Sequence, residues 1–113
     1  MQNQNARNVT VAPDVNNNRT TMERQHLQDF VDDTNNRRDN GQQLTFLVGT
    51  VAVRCRHLTY GAGSSTVTVF YQRSGNTYQI IGVGSHDGDV KGKTAYSCLW
   101  NGKGNKRVRV IVQ

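Results

Sequence analysis

The sequence is poor in cysteine and in long apolar runs, and each shortage excludes a class of protein. Two cysteines in 113 residues are too few for a disulfide-stabilised scaffold, and a zinc site would need three or four closely grouped Cys and His. No stretch approaches the ~20 apolar residues of a transmembrane helix, and the first residues lack the apolar core of a signal peptide. We therefore expect a soluble chain with no membrane partner, no metal site and no cofactor.

Apolar residues are scarcest in residues 1–19, which are rich in Asn and Gln and contain the single proline, Pro13. Such a segment has too few apolar positions to bury anything. We predict a flexible arm over residues 1–19 and a single basic domain over residues 20–113.

Acidic side chains are scarce after residue 40. Residues 41–113 contain five arginines and four lysines against Asp87 and Asp89 alone, which leaves seven net positive charges there, whereas residues 1–40 carry a net charge of −1. A domain this basic attracts polyanions, and nucleic acid or an acidic protein is the usual partner.

The apolar pattern changes from helical to alternating along the chain. Thr20 or Thr21 can cap a helix, and apolar residues then follow near helical spacing on one face. From Leu44 onward the sequence favours strands, which we expect over residues 44–58 (interrupted at Gly49), 66–72, 77–83, 94–100 and 107–112. The predicted fold class is α+β: an N-terminal helix packed on one face of a four- to five-stranded twisted antiparallel sheet.

The clearest hairpin signal lies in residues 65–86. Two runs rich in β-branched and aromatic residues flank Ser74-Gly75-Asn76, a segment that supplies the positive φ angles of a tight turn. The second run leads to Gly84-Ser85-His86, so we expect His86 at the end of a strand, where its imidazole can meet a ligand. Because the pKa of histidine lies near neutrality, His86 is a candidate general acid or base, and equally a turn residue bonded to its own loop.

This hairpin and the terminal Gly84-Ser85-His86 resemble the C-terminal part of the RelE-type bacterial toxins, in particular the YafQ-like branch. Those toxins belong to a wider group of small ribonuclease folds that includes barnase, EndoU-type nucleases and nuclease colicins. The resemblance implies RNA held on the open face of an antiparallel sheet. It also implies an acidic antitoxin or immunity protein as partner and a cytoplasmic site of action. The additional hairpin after His86 and the Asn-rich arm would suit a toxin domain at the C-terminus of a larger secreted effector.

Further candidates for catalysis lie near the two strand-end histidines. His57 follows Arg54 and Arg56 and could supply the second proton-transfer group of a metal-independent ribonuclease. Between Ser85 and Tyr96, Gly88 and Gly92 lie among lysine, threonine and tyrosine side chains that can bind a phosphorane transition state. The candidate catalytic residues are His86, His57, Lys93, Thr94 and Tyr96.

The candidate nucleic-acid-binding residues are Arg54, Arg56, Lys91, Arg107 and Arg109, because the arginines alternate outward along two strands and can reach several phosphates. The favoured function is an endoribonuclease toxin that directs the ribose 2′-OH against the adjacent phosphate. The alternative is a non-catalytic module that binds an acidic protein, or single-stranded nucleic acid through stacking on Tyr60, Tyr71 or Tyr78.

Both cysteines, Cys55 and Cys98, fall on the apolar side of their strands. Buried free thiols are the expected state, and a disulfide is feasible only if the two strands are neighbours.

Overall fold

The computed structural model describes residues 8–36, 40–63 and 65–113 of the chain. Within these ranges the elements follow in the order β1 (Asn8–Val11), α1 (Pro13–Asn18), α2 (Thr21–Asn35), β2 (Gln42–Val48), β3 (Val51–Ala62), β4 (Ser65–Ser74), β5 (Thr77–Val90), β6 (Lys93–Trp100) and β7 (Val108–Val112). No helix in the described ranges is long and apolar enough to cross a membrane.

Helix α2 begins where the sequence predicted it. The Thr20 hydroxyl accepts the Glu23 amide at 3.1 Å, and the Glu23 carboxylate accepts the Thr20 amide at 2.8 Å, so the two residues form a complete capping box. Leu27 and Phe30 are buried on the inner face of the helix. The predicted start of this helix is confirmed.

The hairpin over residues 65–86 is also confirmed, and it is longer than predicted. Strands β4 and β5 are joined by Gly75 and Asn76, and Gly75 has φ 59°, a conformation that glycine adopts without steric cost. Strands β5 and β6 are joined by Lys91 and Gly92, both with positive φ, as a two-residue hairpin turn requires.

The predicted open sheet with a helix on one face is wrong. Antiparallel neighbours follow in the order β5–β4–β3–β2–β7–β6. Strand β6 also pairs with β5, so these six strands close into a barrel. Strand β1 adds to this barrel in parallel with the first residues of β5. Closure occurs because β5 is long enough to pair with β4 along its first half and with β6 along its second half. The chain is therefore mainly β.

Apolar side chains form two separate clusters, one inside the barrel and one on its outer wall. The inner cluster consists of Phe46, Val48, Cys55, Phe70, Ile81, Tyr96, Cys98, Trp100 and Val110. The outer cluster, which α1 and α2 cover, includes Val15, Leu27, Phe30, Val67, Val69, Tyr71, Tyr78, Ile80, Val83 and Leu99. Alternating residues of β4 enter one cluster or the other, as the two-residue period of a strand dictates.

The prediction of a flexible arm fails for residues 8–18. Strand β1 pairs residue by residue with β5, and helix α1 follows it directly. Val15 is fully buried and Ala12 nearly so, and the Asp14 carboxylate accepts the Gly102 amide at 2.8 Å. A few apolar residues suffice to hold this segment because the outer wall of the barrel supplies their partners. The first seven residues lie outside the described part.

Candidate functional site at one mouth of the barrel

A cavity opens where strands β4 and β5 separate. Their ladder ends at the pair Thr68 and Gly84, while the β3–β4 and β5–β6 hairpins both extend farther. The cavity between the two hairpins has a volume of about 460 Å³ and is lined by Thr59, Gly63, Thr66, Thr68, His86 and Tyr96. This end of the barrel is called the mouth below.

His86 lies within β5 and not at the end of a strand, so its predicted position is wrong. The strand continues to Val90 through a bulge between His86 and Asp89. A bulge re-aims neighbouring side chains, and here the His86 imidazole Nε2 lies 4.0 Å from the Asp89 carboxylate. The His86 side chain is 53% exposed, so its imidazole is open to a ligand.

Tyr96 is the cross-strand partner of His86, and the two rings meet edge to face at 5.9 Å. Burial of the phenol, with a smaller contribution from Cys98, raises the pKa of Tyr96. The phenol therefore stays protonated at neutral pH and can donate a hydrogen bond into the mouth.

The other two candidates on β6, Lys93 and Thr94, point in opposite directions. Thr94 lies two residues from Tyr96, on the same face, and pairs with Asp89. Lys93 lies on the opposite face, so the structure does not bring it to the mouth. The segment from Ser85 to Tyr96 is thus a hairpin and not a phosphate-binding loop.

His57 faces the inside of the barrel. Its ring meets Phe46 at 5.4 Å and stacks on Phe70 at 6.3 Å. Its Nδ1 lies 2.9 Å from the Gln42 carbonyl oxygen, which can only accept, so Nδ1 carries the proton. In the neutral imidazole Nε2 is then the free base.

One row of residues that pair across neighbouring strands separates the two histidines along the barrel. The row contains Thr59, Thr68 and Gly84, and the two threonine hydroxyls are hydrogen-bonded at 2.8 Å. His57 precedes Thr59 by two residues and His86 follows Gly84 by two, so both imidazoles lie on the inner face of the barrel, on either side of this row. Thr59 and His86 belong to the lining of the mouth, whereas His57 lies beyond it.

The predicted phosphate-binding arginines do not surround the mouth. Arg107 precedes β7 and donates two hydrogen bonds of 2.8 Å to the carboxylate of Glu23. Its guanidinium group is therefore occupied, and the prediction that it binds a phosphate is not supported. Arg109 is exposed on the outer face of β7, opposite Ser97. Arg54 and Arg56 lie on the outer wall, and Lys91 lies in the β5–β6 turn.

The three tyrosines proposed to stack on bases are engaged in the fold. Tyr71 and Tyr78 are fully buried, and the Tyr71 hydroxyl accepts the Gly41 amide at 3.1 Å. The Tyr60 hydroxyl donates to the Asp33 carboxylate at 2.6 Å, and burial together with this carboxylate raises the pKa of Tyr60. Base stacking on these residues is not supported by the structure.

The threonines of the mouth were missed in the sequence. Thr66 and Thr68 alternate with Val67 and Val69, and this two-residue period could have placed both hydroxyls on one face of β4. Their opposition to Thr59 depends on strand register, which the sequence does not reveal.

The expected thiol state is confirmed: Cys55 and Cys98 are both buried, and neither is in a disulfide. Within residues 8–36, 40–63 and 65–113, no group of three or more His, Cys, Asp or Glu side chains is placed to hold a metal ion. Comparison with family models, with curated proteins and with solved structures found no match to this chain.

Proposed function

We propose that the mouth of the barrel cleaves RNA without a metal ion. The observation that carries this proposal is that His86 presents an exposed imidazole to a polar cavity beside Tyr96, and that His57 lies on the same inner face of the barrel, beyond the Thr59 edge of the lining. RNA cleavage by its own 2′-hydroxyl needs one group that takes a proton and one that gives a proton, and two imidazoles can do both near neutral pH.

The surroundings of the two histidines suggest their roles. His57 Nε2, the free base because Nδ1 donates to Gln42, would take the proton of the ribose 2′-OH of a nucleotide that extends past Thr59. The oxygen O2′ would then attack the adjacent phosphorus to form a 2′,3′-cyclic phosphate as the bond to O5′ breaks. His86 in its protonated form, with the Asp89 carboxylate 4.0 Å away, would give its proton to the departing O5′. The Tyr96 phenol would donate a hydrogen bond to a non-bridging oxygen.

The test is cleavage of RNA in EDTA by the purified protein, followed by the same assay with a dinucleotide and with its 2′-deoxy analogue. The dinucleotide should give a cyclic phosphate product, and the deoxy analogue should stay intact because it lacks the attacking oxygen. We expect His86→Ala and His57→Ala each to lower the rate by about 10²–10⁴-fold, the usual contribution of a proton-transfer group.

The matched control is His26→Ala. His26 lies on α2, 2.9 Å from the Asp29 carboxylate, and does not line the mouth. This variant should retain the parent rate. Full activity in a folded His86→Ala protein, judged by thermal melting, would contradict the proposal, and so would cleavage of the deoxy analogue.

A second candidate function is binding without cleavage, and the placement of the arginines favours it. Arg54, Arg56 and Arg109 lie outside the mouth, so the cations best able to hold phosphates are separate from the histidines. A mobility shift with RNA that remains intact in EDTA would support this candidate over cleavage.

The toxin role and its acidic neutralising partner accompany the cleavage proposal. Expression of the chain alone in a bacterium should arrest growth if it cuts cellular RNA, and His86→Ala should relieve the arrest. Normal growth with the parent chain present as folded protein would count against the toxin role.

A further inference from the structure

A second concave surface lies on the outer wall of the barrel, away from the mouth. Helix α2 covers β3 near Leu58 and Tyr60 and leaves the preceding part of β3 uncovered. The cavity there has a volume of about 250 Å³, and its lining includes Arg54, Arg56, Arg73, Gln43 and Gln72. We call this surface the arginine wall.

Strand register brings the three arginines together. Arg56 is opposite Tyr71, so Arg54, two residues before it, and Arg73, two residues after Tyr71, lie side by side on the same face. Like charges on adjacent strands repel each other. Among the described residues that line this cavity there is no carboxylate.

Two of these guanidinium groups donate hydrogen bonds to backbone carbonyl oxygens. Arg56 donates to the Gly41 carbonyl oxygen at 3.0 Å. Arg73 donates to the Gly75 carbonyl oxygen at 2.9 Å and lies over the Tyr78 ring at 5.0 Å. These contacts orient the Arg56 and Arg73 guanidinium groups, which pre-organises the wall for an anion.

We infer that the arginine wall binds phosphate groups of an RNA strand whose cleaved bond lies in the mouth. The inference rests on the proposed function for the identity of the ligand. A strand with one phosphate among His86, Thr66 and Tyr96 has further phosphates on both sides. No arginine or lysine is found among the described residues that line the mouth to hold them. The wall supplies guanidinium groups, which bind phosphate with paired hydrogen bonds, and glutamine amides beside them.

The separation between the two surfaces sets a length requirement. Arg54 and Thr59 are five residues apart on β3, which corresponds to roughly 17 Å along the strand at about 3.3 Å per residue. A dinucleotide in the mouth cannot reach the wall. A single strand of about ten nucleotides, within the ~4–16 nucleotides that small nucleic-acid-binding domains occupy, can reach both surfaces.

The experiment compares the double variant Arg54→Gln/Arg56→Gln with the charge-matched control Arg24→Gln/Lys106→Gln, whose parent residues are exposed and line neither surface. Binding of a fluorescent 2′-deoxy ten-mer, which cannot be cleaved, is measured by anisotropy over a range of salt. For single strands, each phosphate contact contributes about −0.7 to the slope of log affinity against log salt. Loss of one contact therefore weakens binding by about fivefold at 0.1 M salt. We expect the wall variant to bind about 10–30-fold more weakly, with a slope shallower by about 1.4, and the control to stay within about threefold of the parent.

Cleavage assays separate this inference from the proposed function. The wall variant should cleave a ten-mer with a raised KM, whereas the charge-matched control should cleave both the ten-mer and the dinucleotide as the parent does. If the parent fails to cleave the dinucleotide but the ten-mer affinity still depends on Arg54 and Arg56, the wall is supported and the proposed function is not. If affinity and salt slope match the control in a folded wall variant, the inference is wrong. Loss of binding to an acidic peptide with unchanged ten-mer affinity would overturn it in favour of a protein partner.

Discussion

Removal of the Glu23 carboxylate should destabilise the whole fold, because this side chain joins the start of α2 to the segment that leads into β7. Its two oxygens accept two hydrogen bonds from Arg107 at 2.8 Å, and one of them also accepts the Thr20 amide. The pair connects the start of α2 with the residue just before β7, across 84 positions of sequence. The carboxylate is 3% exposed and the Arg107 side chain is 35% exposed.

The size of the loss follows from this unequal burial. Breaking a fully buried ion pair costs about 3–5 kcal/mol, and the partial exposure of Arg107 reduces that cost because water can solvate the charge left behind. Loss of the capping box adds about 0.5–1 kcal/mol. We expect Glu23→Ala to lower the free energy of unfolding by about 2–4 kcal/mol, and Tm by roughly 8–16 °C at about 4 °C per kcal/mol for a domain of this size.

The same pair predicts a pH dependence. Burial acts to raise the pKa of Glu23, but the hydrogen bonds from Arg107 and Thr20, together with the Arg107 charge, outweigh burial and hold the pKa below its usual 4.5. The unfolded chain therefore binds this proton at a higher pH than the folded chain. The stabilisation is present in full above about pH 5 and is lost as pH falls through the folded pKa.

The first assay is urea unfolding at pH 7 of the parent, Glu23→Ala, Arg107→Ala and the double variant, which form a double-mutant cycle. The second compares the parent with Glu23→Gln at pH 7 and at pH 4. The cycle should give a coupling energy above about 1 kcal/mol, and the advantage of the parent over Glu23→Gln should shrink at pH 4. Additive single effects would refute the pair as a stabilising interaction. Arg107→Ala should leave ten-mer binding within a few fold of the parent, as expected of an arginine already bound to Glu23.

Two further predictions concern the packing of the barrel. A Cβ added at Gly84 would meet the backbone of Ser97 and of Cys98. We therefore expect Gly84→Ala to lower the free energy of unfolding in urea by ~1–3 kcal/mol or more. An unchanged urea midpoint would contradict the close approach of β5 and β6. Burial raises the pKa of Cys55 to about 12 and raises the pKa of Cys98 as well. A thiol reagent at pH 8 should therefore label both cysteines only after unfolding. Rapid labelling of the native protein would show instead that the thiols are accessible.

Local features were predictable because nearby residues encode them. The capping box of α2 needs only Thr20 and Glu23, and the β4–β5 turn needs only Gly75 with the β-rich runs beside it. Burial of Cys55 followed from alternation along a single strand. Each of these depends on contacts within a few positions, where spacing and residue type decide the structure.

The candidate site was predicted in part. His86, His57, Thr94 and Tyr96 do lie on the inner face of the barrel, but Lys93 points away and Arg107 is bound to Glu23. The bulge after His86 adds one residue to β5 relative to β6. Because Gly88 follows, the sequence does not distinguish this bulge from the end of a strand.

The sequence by itself determined the elements: a capped helix, long strands, their turns and the alternating faces that become inside and outside. Only the tertiary structure decided that the sheet closes, that residues 8–18 dock on the outer wall, and that the arginines predicted to bind phosphates lie apart from the histidines. The physical reason is that closure uses main-chain hydrogen bonds, which every residue except proline can make, so side-chain identity says little about which strands pair. Once β5 pairs with both β4 and β6, the geometry of the barrel sets which side chains meet at the mouth.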